Sequence, residues 1–256
     1  MRIIKSIKNK EILKKKGHIL VGYFTAGYPD KDSFYDTIRE CEKANMDIFE
    51  IGYPAKEPLA DGEVIQHAHQ VIDRNISTDL AFWIKLRKEI ESPIWLMAYE
   101  NDIMENGFCH ELAKEKLIDA LVIPDMTFEE RVELENQLMN YEVDVVGFIR
   151  PNMDSHQIHQ SLENNALIYQ MLYAGPTGMK VTSDNYSQLL REAKQYEHVN
   201  VFAGFGISTP ERVKELLMQG FDGVIVGTAM MKERKNSLEA LLNLVDLLKK
   251  ATEGAR

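Results

Sequence analysis

Eight short apolar runs alternate with helical patterns along this chain, and that alternation restricts its fold more than any other feature. The runs fall at 18–26, 47–52, 94–98, within 117–123, and at 143–149, 166–172, 199–203 and 223–226. Each is rich in Val, Ile, Leu or Phe and is too short for a helix, so it reads as a strand buried on both faces. Helical patterns follow at 32–44, 62–74, 78–91 (capped by Ser77 or Thr78), up to 141, and at 155–164, 185–196, 209–219 and 237–250. Pro210 at the first position of the seventh is a good helix start. Strand and helix recur roughly every 25 to 30 residues, which predicts an α/β chain forming a single (β/α)8 TIM barrel over residues 1–256. Ile3, Ile4, Ile7, Ile12 and Leu13 add a short amphipathic helix at the N-terminus. A doubly wound sheet is the runner-up, because alternation alone does not prove closure. No linker, low-complexity tract or composition shift marks a boundary.

Composition narrows the class. The 256 residues are 45% hydrophobic, enough for a full core, and carry 30 Lys and Arg against 40 Asp and Glu, a net charge of −10. That balance disfavours nucleic acid or an anionic membrane as partner, and an anionic ligand needs a local positive field. Two cysteines, Cys41 and Cys109, make no disulfide framework and point to a reducing compartment. No apolar run approaches a membrane span, and Met1 to Lys16 is basic without the apolar core of a signal peptide, so a cytoplasmic location is expected.

Inside the second apolar run stands a carboxylate, Glu50, flanked by Ile48, Phe49 and Ile51. Burying an unpaired ionised carboxylate costs several kcal/mol, so such a group is paired, protonated or working. A loop punctuated by Pro54 and Pro58 follows and ends at Asp61-Gly62. A buried acid with a raised pKa beside a more solvated one suits general acid–base work. The alternative is that Glu50 pairs with a buried base and Asp61 caps the next helix. Glycine-bearing segments close the late strands: 175–178, 204–208 and 223–228. In a barrel, the loops after strands seven and eight are the usual phosphate site, where backbone N–H groups approach an anion.

The stretch from Ile48 to Gly62 resembles the signature of the tryptophan synthase α subunit family. There a strand glutamate precedes a Gly-x-Pro-x-x-(Asp/Glu)-Pro-x-Ala-Asp-Gly loop; here the matching residues are Glu50, Gly52, Pro54, Glu57, Pro58, Ala60, Asp61 and Gly62. The similarity continues at Tyr23 to Pro29, at Leu96 to Asn101, at Pro124-Asp125, at Tyr169 followed by Gly175-Pro176-Thr177-Gly178, at Gly204 to Ser208, and at Gly227-Thr228. It thus covers nearly the whole chain.

The resemblance implies retro-aldol cleavage of indole-3-glycerol phosphate to indole and glyceraldehyde 3-phosphate in tryptophan biosynthesis. By the same resemblance Glu50 shuttles protons, Asp61 stays ionised to stabilise the cationic indole intermediate, and Tyr169 orients Glu50 or the substrate. Tyr23, Met97, Tyr99 and Ile149 are candidates for an apolar slot around the indole. Thr177 is expected to close onto Asp61, and Gly178, Gly206, Gly227 and Thr228 to hold the phosphate. No metal or cofactor is called for. His67 and His69 lie two apart and point to different helix faces, His156 and His159 lack a carboxylate partner on their helix, and all four read as solvated.

Some positions depart from the family pattern. Ala55 and Lys56 replace an aromatic residue and a serine in a loop that touches the β subunit in the family, Glu63 replaces proline, and Leu172 and Tyr173 stand where serine and arginine are common. The catalytic carboxylates are intact, so the departures weigh on pairing with a β subunit in an α2β2 complex rather than on the chemistry. Three readings follow: an α subunit passing indole to a β subunit, a stand-alone lyase releasing free indole, and a non-catalytic relative that binds a partner or a phosphorylated ligand.

Overall fold

A computed structural model describes residues 3–15, 17–58, 61–104, 107–173, 175 and 185–255. The apolar runs form β1 (Ile19–Thr25), β2 (Ile48–Gly52), β3 (Ile94–Met97), β4 (Ala120–Val122), β5 (Asp144–Val145), β6 (Gly147–Ile149), β7 (Leu167–Met171), β8 (Asn200–Gly204) and β9 (Gly223–Val226). All neighbours pair in parallel, in the order β5-β4-β3-β2-β1-β9-β8-β7-β6. The first strand therefore pairs with both the second and the last, which a doubly wound sheet does not do.

The expected fifth strand is divided between two neighbours. Asp144 and Val145 pair with β4, whereas Gly147 to Ile149 pair with β7. Val146 lies between, its N–H donating to the Leu121 carbonyl at 2.9 Å. One stretch of chain thus passes from one neighbour to the other, and the ring closes as a (β/α)8 barrel.

The strand period of two sorts the side chains. Phe49, Ile51, Leu96, Leu121, Ile149 and Ile168 face outward into the layer shared with the helices. Ile48, Trp95, Val122, Phe148, Tyr169 and Phe202 pack together inside the ring. Glu50 has the parity of Ile48 and points inward. Several helices begin at a side-chain cap: Asp30, Thr127, Asp154, Thr209 and Ser237 each accept a backbone N–H of the first turn. The helix expected from residue 78 begins instead at Leu80, capped by Asp79, because Ser77 and Thr78 belong to a 3-10 turn, Arg74–Thr78.

The N-terminal helix, Ile7–Lys15, is held less by its apolar face than expected. Ile3 and Ile7 are exposed, while Ile4, Ile12 and Leu13 pack on the inner cluster. A buried polar network fixes the segment. Asn9 accepts from the Trp95 indole N–H at 2.9 Å and donates to Asp144 at 2.9 Å, and the Ser6 hydroxyl donates to Asp119 at 2.9 Å. These groups stopper the barrel at the N-terminal ends of its strands and leave the opposite end open. The last helix, Leu238–Glu253, is fastened by a buried ion pair, Lys249 Nζ to Asp47 Oδ2 at 2.6 Å.

Candidate active site

A cavity of about 350 Å³ opens at the C-terminal ends of the strands. Glu50, Asp61, Tyr23, Tyr169, Phe148 and Met97 line its inner part, and Gly206, Gly227 and Thr228 line its outer part. This is the face on which barrel proteins place their chemistry.

Glu50 is 3% exposed, and its Oε1 has no hydrogen-bond partner among the described residues. Burial first, and then the charge of Asp61, push its pKa from 4.5 up to about 8. Asp61 is also 3% exposed, which corrects the expectation of a solvated loop acid. Asp61 turns into the cavity, and the Tyr99 hydroxyl donates to Asp61 Oδ2 at 2.9 Å. Burial raises Asp61 from 3.8 to about 6, with the Tyr99 hydrogen bond pulling the other way. Near pH 7 the pair thus holds one protonated acid and one carboxylate, the division expected on other physical grounds.

Two tyrosines wall this pair, and each depends on a glycine in the next strand. A Cβ at Gly52 would stand 2.2 Å from the Tyr23 hydroxyl, and one at Gly204 would stand 2.1 Å from the Tyr169 ring. Tyr169 stacks on Phe148 with centroids 5.2 Å apart and meets Phe205 edge-on. The resulting slot is flat and apolar. Met97 joins it as expected, but Ile149 does not: it points outward, and its neighbour Phe148 takes the inward place. A difference of one position reverses the face in a strand. Tyr99 stands behind Asp61 rather than on the cavity wall.

At the outer end, Phe205 (φ 74) and Gly206 (φ 72) both adopt left-handed backbone. That turn is costly at the phenylalanine, and strain of this kind gathers where backbone is positioned for function. Gly227 is the N-cap of a helix, Thr228–Asn236, that sequence reasoning missed. Its first residues, Thr228 and Ala229, line the same space as Gly206, and Lys232, one turn further on, reaches the cavity wall. Thr177 and Gly178 lie outside the described residues, as do Leu59 and Ala60 of the loop.

One further expectation is corrected. His69 is buried, 1% exposed, because it shares the inward helix face with Ile65 and Ala68; His67, His156 and His159 are exposed as expected. Ala55 is buried as well, its N–H donating to His69 Nδ1 at 3.2 Å, so its side chain offers nothing to a partner surface. Lys56 is exposed, with its own N–H held by the Asp102 carboxylate at 3.3 Å.

Fold and site together define a barrel enzyme of the acid–base kind, with an acid and a carboxylate at the floor of a flat apolar slot and backbone N–H groups at its rim. The tryptophan synthase alpha chain family model matches residues 10–254. The tryptophan synthase alpha chain of Aquifex aeolicus is 34% identical over 98% of both chains, and that of Alkaliphilus metalliredigens 31% identical over 86% of this chain and 85% of its own. Among solved structures, the Mycobacterium tuberculosis tryptophan synthase superposes with a TM-score of 0.84 at 20% identity, covering 96% of this chain and 98% of that one. The chain belongs to the tryptophan synthase alpha chain family, a family of lyases in tryptophan biosynthesis.

Proposed function

We propose that Glu50 and Asp61 carry out the retro-aldol cleavage of indole-3-glycerol phosphate in this cavity, within one barrel domain spanning the chain. Protonated Glu50 delivers its proton to indole C3. The resulting carboxylate takes the proton of the glycerol hydroxyl on the carbon attached to C3. As that oxygen becomes the aldehyde carbonyl, the bond to C3 breaks and its electron pair restores the aromatic ring. Glu50 ends protonated, as it began. Asp61, ionised, accepts from the indole N–H and stabilises the cationic intermediate.

Tyr23 and Tyr169 hold the ring system between them, with Tyr99 steadying Asp61. The phosphate is assigned to the N–H groups around Gly206, Gly227 and Thr228, extended by Gly178, with Thr177 closing over Asp61. One solved relative, from Pyrococcus furiosus, is a tryptophan synthase complex (TM-score 0.77, 27% identity, 92% of this chain and 99% of that one). A β subunit is accordingly the partner assigned to this chain. Among the described residues no helix is long and apolar enough to cross a membrane, in keeping with the cytoplasm as the place of action.

The observation that carries the reading is the convergence of two buried carboxyl groups on one cavity, Glu50 pushed up to about 8 and Asp61 to about 6. Turnover of indole-3-glycerol phosphate, with and without a β subunit, tests it. Indole release that rises when the β subunit is added supports the assignment, and release unchanged by it favours the stand-alone lyase. No release in either case refutes both.

A further inference from the structure

A buried cation stands behind the aromatic wall of the slot. Arg131, on the helix Phe128–Gln137, is 7% exposed, while Leu134 of the same helix packs in the layer outside the ring. Burial lowers its pKa from 12.5 to about 10, with the charges of Glu135 and Asp125 pulling the other way, so the guanidinium is charged at neutral pH. A buried charge is costly unless its donors are used. Nη1 donates to the Val146 carbonyl at 2.6 Å, and Nη2 is shared between the carbonyls of Ile123 and Met126, each at 3.4 Å. Val146 is the residue at which the fifth strand changes neighbours, and Ile123 follows directly on β4. The planar fork therefore spans the seam, tying the end of β4 to the chain entering β6. Its Cζ lies over the Phe148 ring, 5.5 Å from the centroid. Phe148 in turn lines the cavity and stacks on Tyr169 at 5.2 Å. Strand pairing holds Phe148 from β7 alone, and Arg131 supplies the tie on the β4 side.

We propose that Arg131 is a positioning residue for the slot: by bridging Val146 to Ile123 and lying over the Phe148 ring, it fixes the aromatic wall against which the indole ring binds. This rests on the reaction assigned above, which puts the indole in the slot. The face of an aromatic ring attracts a cation, and a flat guanidinium can cover the ring while its N–H groups stay bonded to carbonyls. A lysine ammonium is a point charge on a flexible stem and cannot span the three carbonyls and cover the ring at once. Glutamine can donate a hydrogen bond but carries no charge. Gly206, Gly227 and Thr228 belong to the ends of β8 and β9, at the outer part of the cavity, whereas Phe148 lines the inner part. A change at Arg131 is therefore felt by the indole and not by the phosphate.

The test compares wild type with Arg131→Gln, Arg131→Lys, Phe148→Leu and the double variant Arg131→Gln/Phe148→Leu. Indole probes the slot, its Kd read by NMR titration, and inorganic phosphate probes the outer end, read by thermal protection. For Arg131→Gln, KM and the indole Kd are expected to rise about fivefold or more, with kcat changed less than about twofold and phosphate protection unchanged. Arg131→Lys, which keeps the charge and loses the fork, should raise both by about two- to threefold. In the Phe148→Leu background, Arg131→Gln should cost little more, because the two residues act as a unit. Equal losses in both backgrounds would show that Arg131 only closes the seam, and would overturn the proposal. So would a wild-type indole Kd in Arg131→Gln, or phosphate protection lost in step with it. Carbon-13 NMR of labelled phenylalanine reads the wall without turnover. The Phe148 signal, assigned by its loss in Phe148→Leu, should carry a ring-current shift from Tyr169 that shrinks in Arg131→Gln and partly returns in Arg131→Lys. If Arg131→Gln does not fold, a wild-type indole Kd in Arg131→Lys overturns the proposal. Absence of wild-type turnover would instead sink the assigned reaction and leave the ring signal to decide, an undiminished shift in Arg131→Gln counting against Arg131.

Discussion

Glu50→Gln should make the protein more stable while removing its activity. Glu50 is nearly fully buried, and its carboxyl is raised from 4.5 to about 8. Between those values the folded chain holds a proton that the unfolded chain releases, so stability falls as pH rises through this window and has been lost in full above about 8. The interval spans roughly 3.5 pH units, and at about 1.4 kcal/mol per unit the full cost of ionising Glu50 in place is about 4–5 kcal/mol. That is a large share of the 5–15 kcal/mol typical of a folded domain. Glutamine has nearly the same shape and never ionises. Urea unfolding of both proteins at pH 5 and pH 8 isolates the effect: the two should be nearly equal at pH 5, and the variant should be the more stable by about 3–4 kcal/mol at pH 8. Turnover should fall to background, since an amide carries no transferable proton. A stability gap that stays flat between pH 5 and pH 8 would refute the raised pKa, and wild-type kcat in the variant would refute the role.

Asp61→Asn should lose at least about a hundredfold in kcat, because the cationic intermediate loses its counter-charge; Tyr99→Phe should retain turnover but move the acidic limb of kcat/KM upward from its origin near 6. Gly206→Val forces a branched side chain into left-handed backbone, and Gly227→Val places a side chain against Tyr23, 3.4 Å from its Cβ; each should raise KM about tenfold or more and weaken thermal protection by inorganic phosphate. Lys249→Met removes the ammonium facing buried Asp47 and should lower unfolding stability by about 3 kcal/mol with little change in kcat, as measured by urea denaturation.

The strands could be read from the sequence because each is a dense apolar run, and Glu50 stood out because it interrupts one. The helix Thr228–Asn236 gave no such sign: Gly227 caps it without a side chain, and Thr-Ala-Met-Met-Lys-Glu-Arg-Lys-Asn has little apolar periodicity. Two short helices after β3, Glu100–Met104 and Phe108–Lys114, are each too brief to show a period. Asp61 read as solvated because loops lie at surfaces, whereas this residue is buried in the cavity wall. His69 was legible in principle. It falls four positions after Ile65 and one after Ala68, on the apolar stripe, so the reasoning that separated it from His67 also placed it inward. Val146 divides the fifth strand for a reason that apolarity cannot express, since it stands in the apolar pair Val145-Val146 with Phe148 and Ile149 close behind.

That division gives the cavity two unlike sides. Glu50 is carried by a strand bonded along its length to β1 and β3, whereas Phe148, across the slot, sits on β6, which pairs with β7 on one side while β5 holds β4 on the other. The barrel is a belt with its buckle across the cavity from Glu50. Thermal breathing will concentrate at the buckle, where each neighbour is held by only part of a strand. A ligand entering the slot can press against that yielding side without displacing the rigid side that carries Glu50.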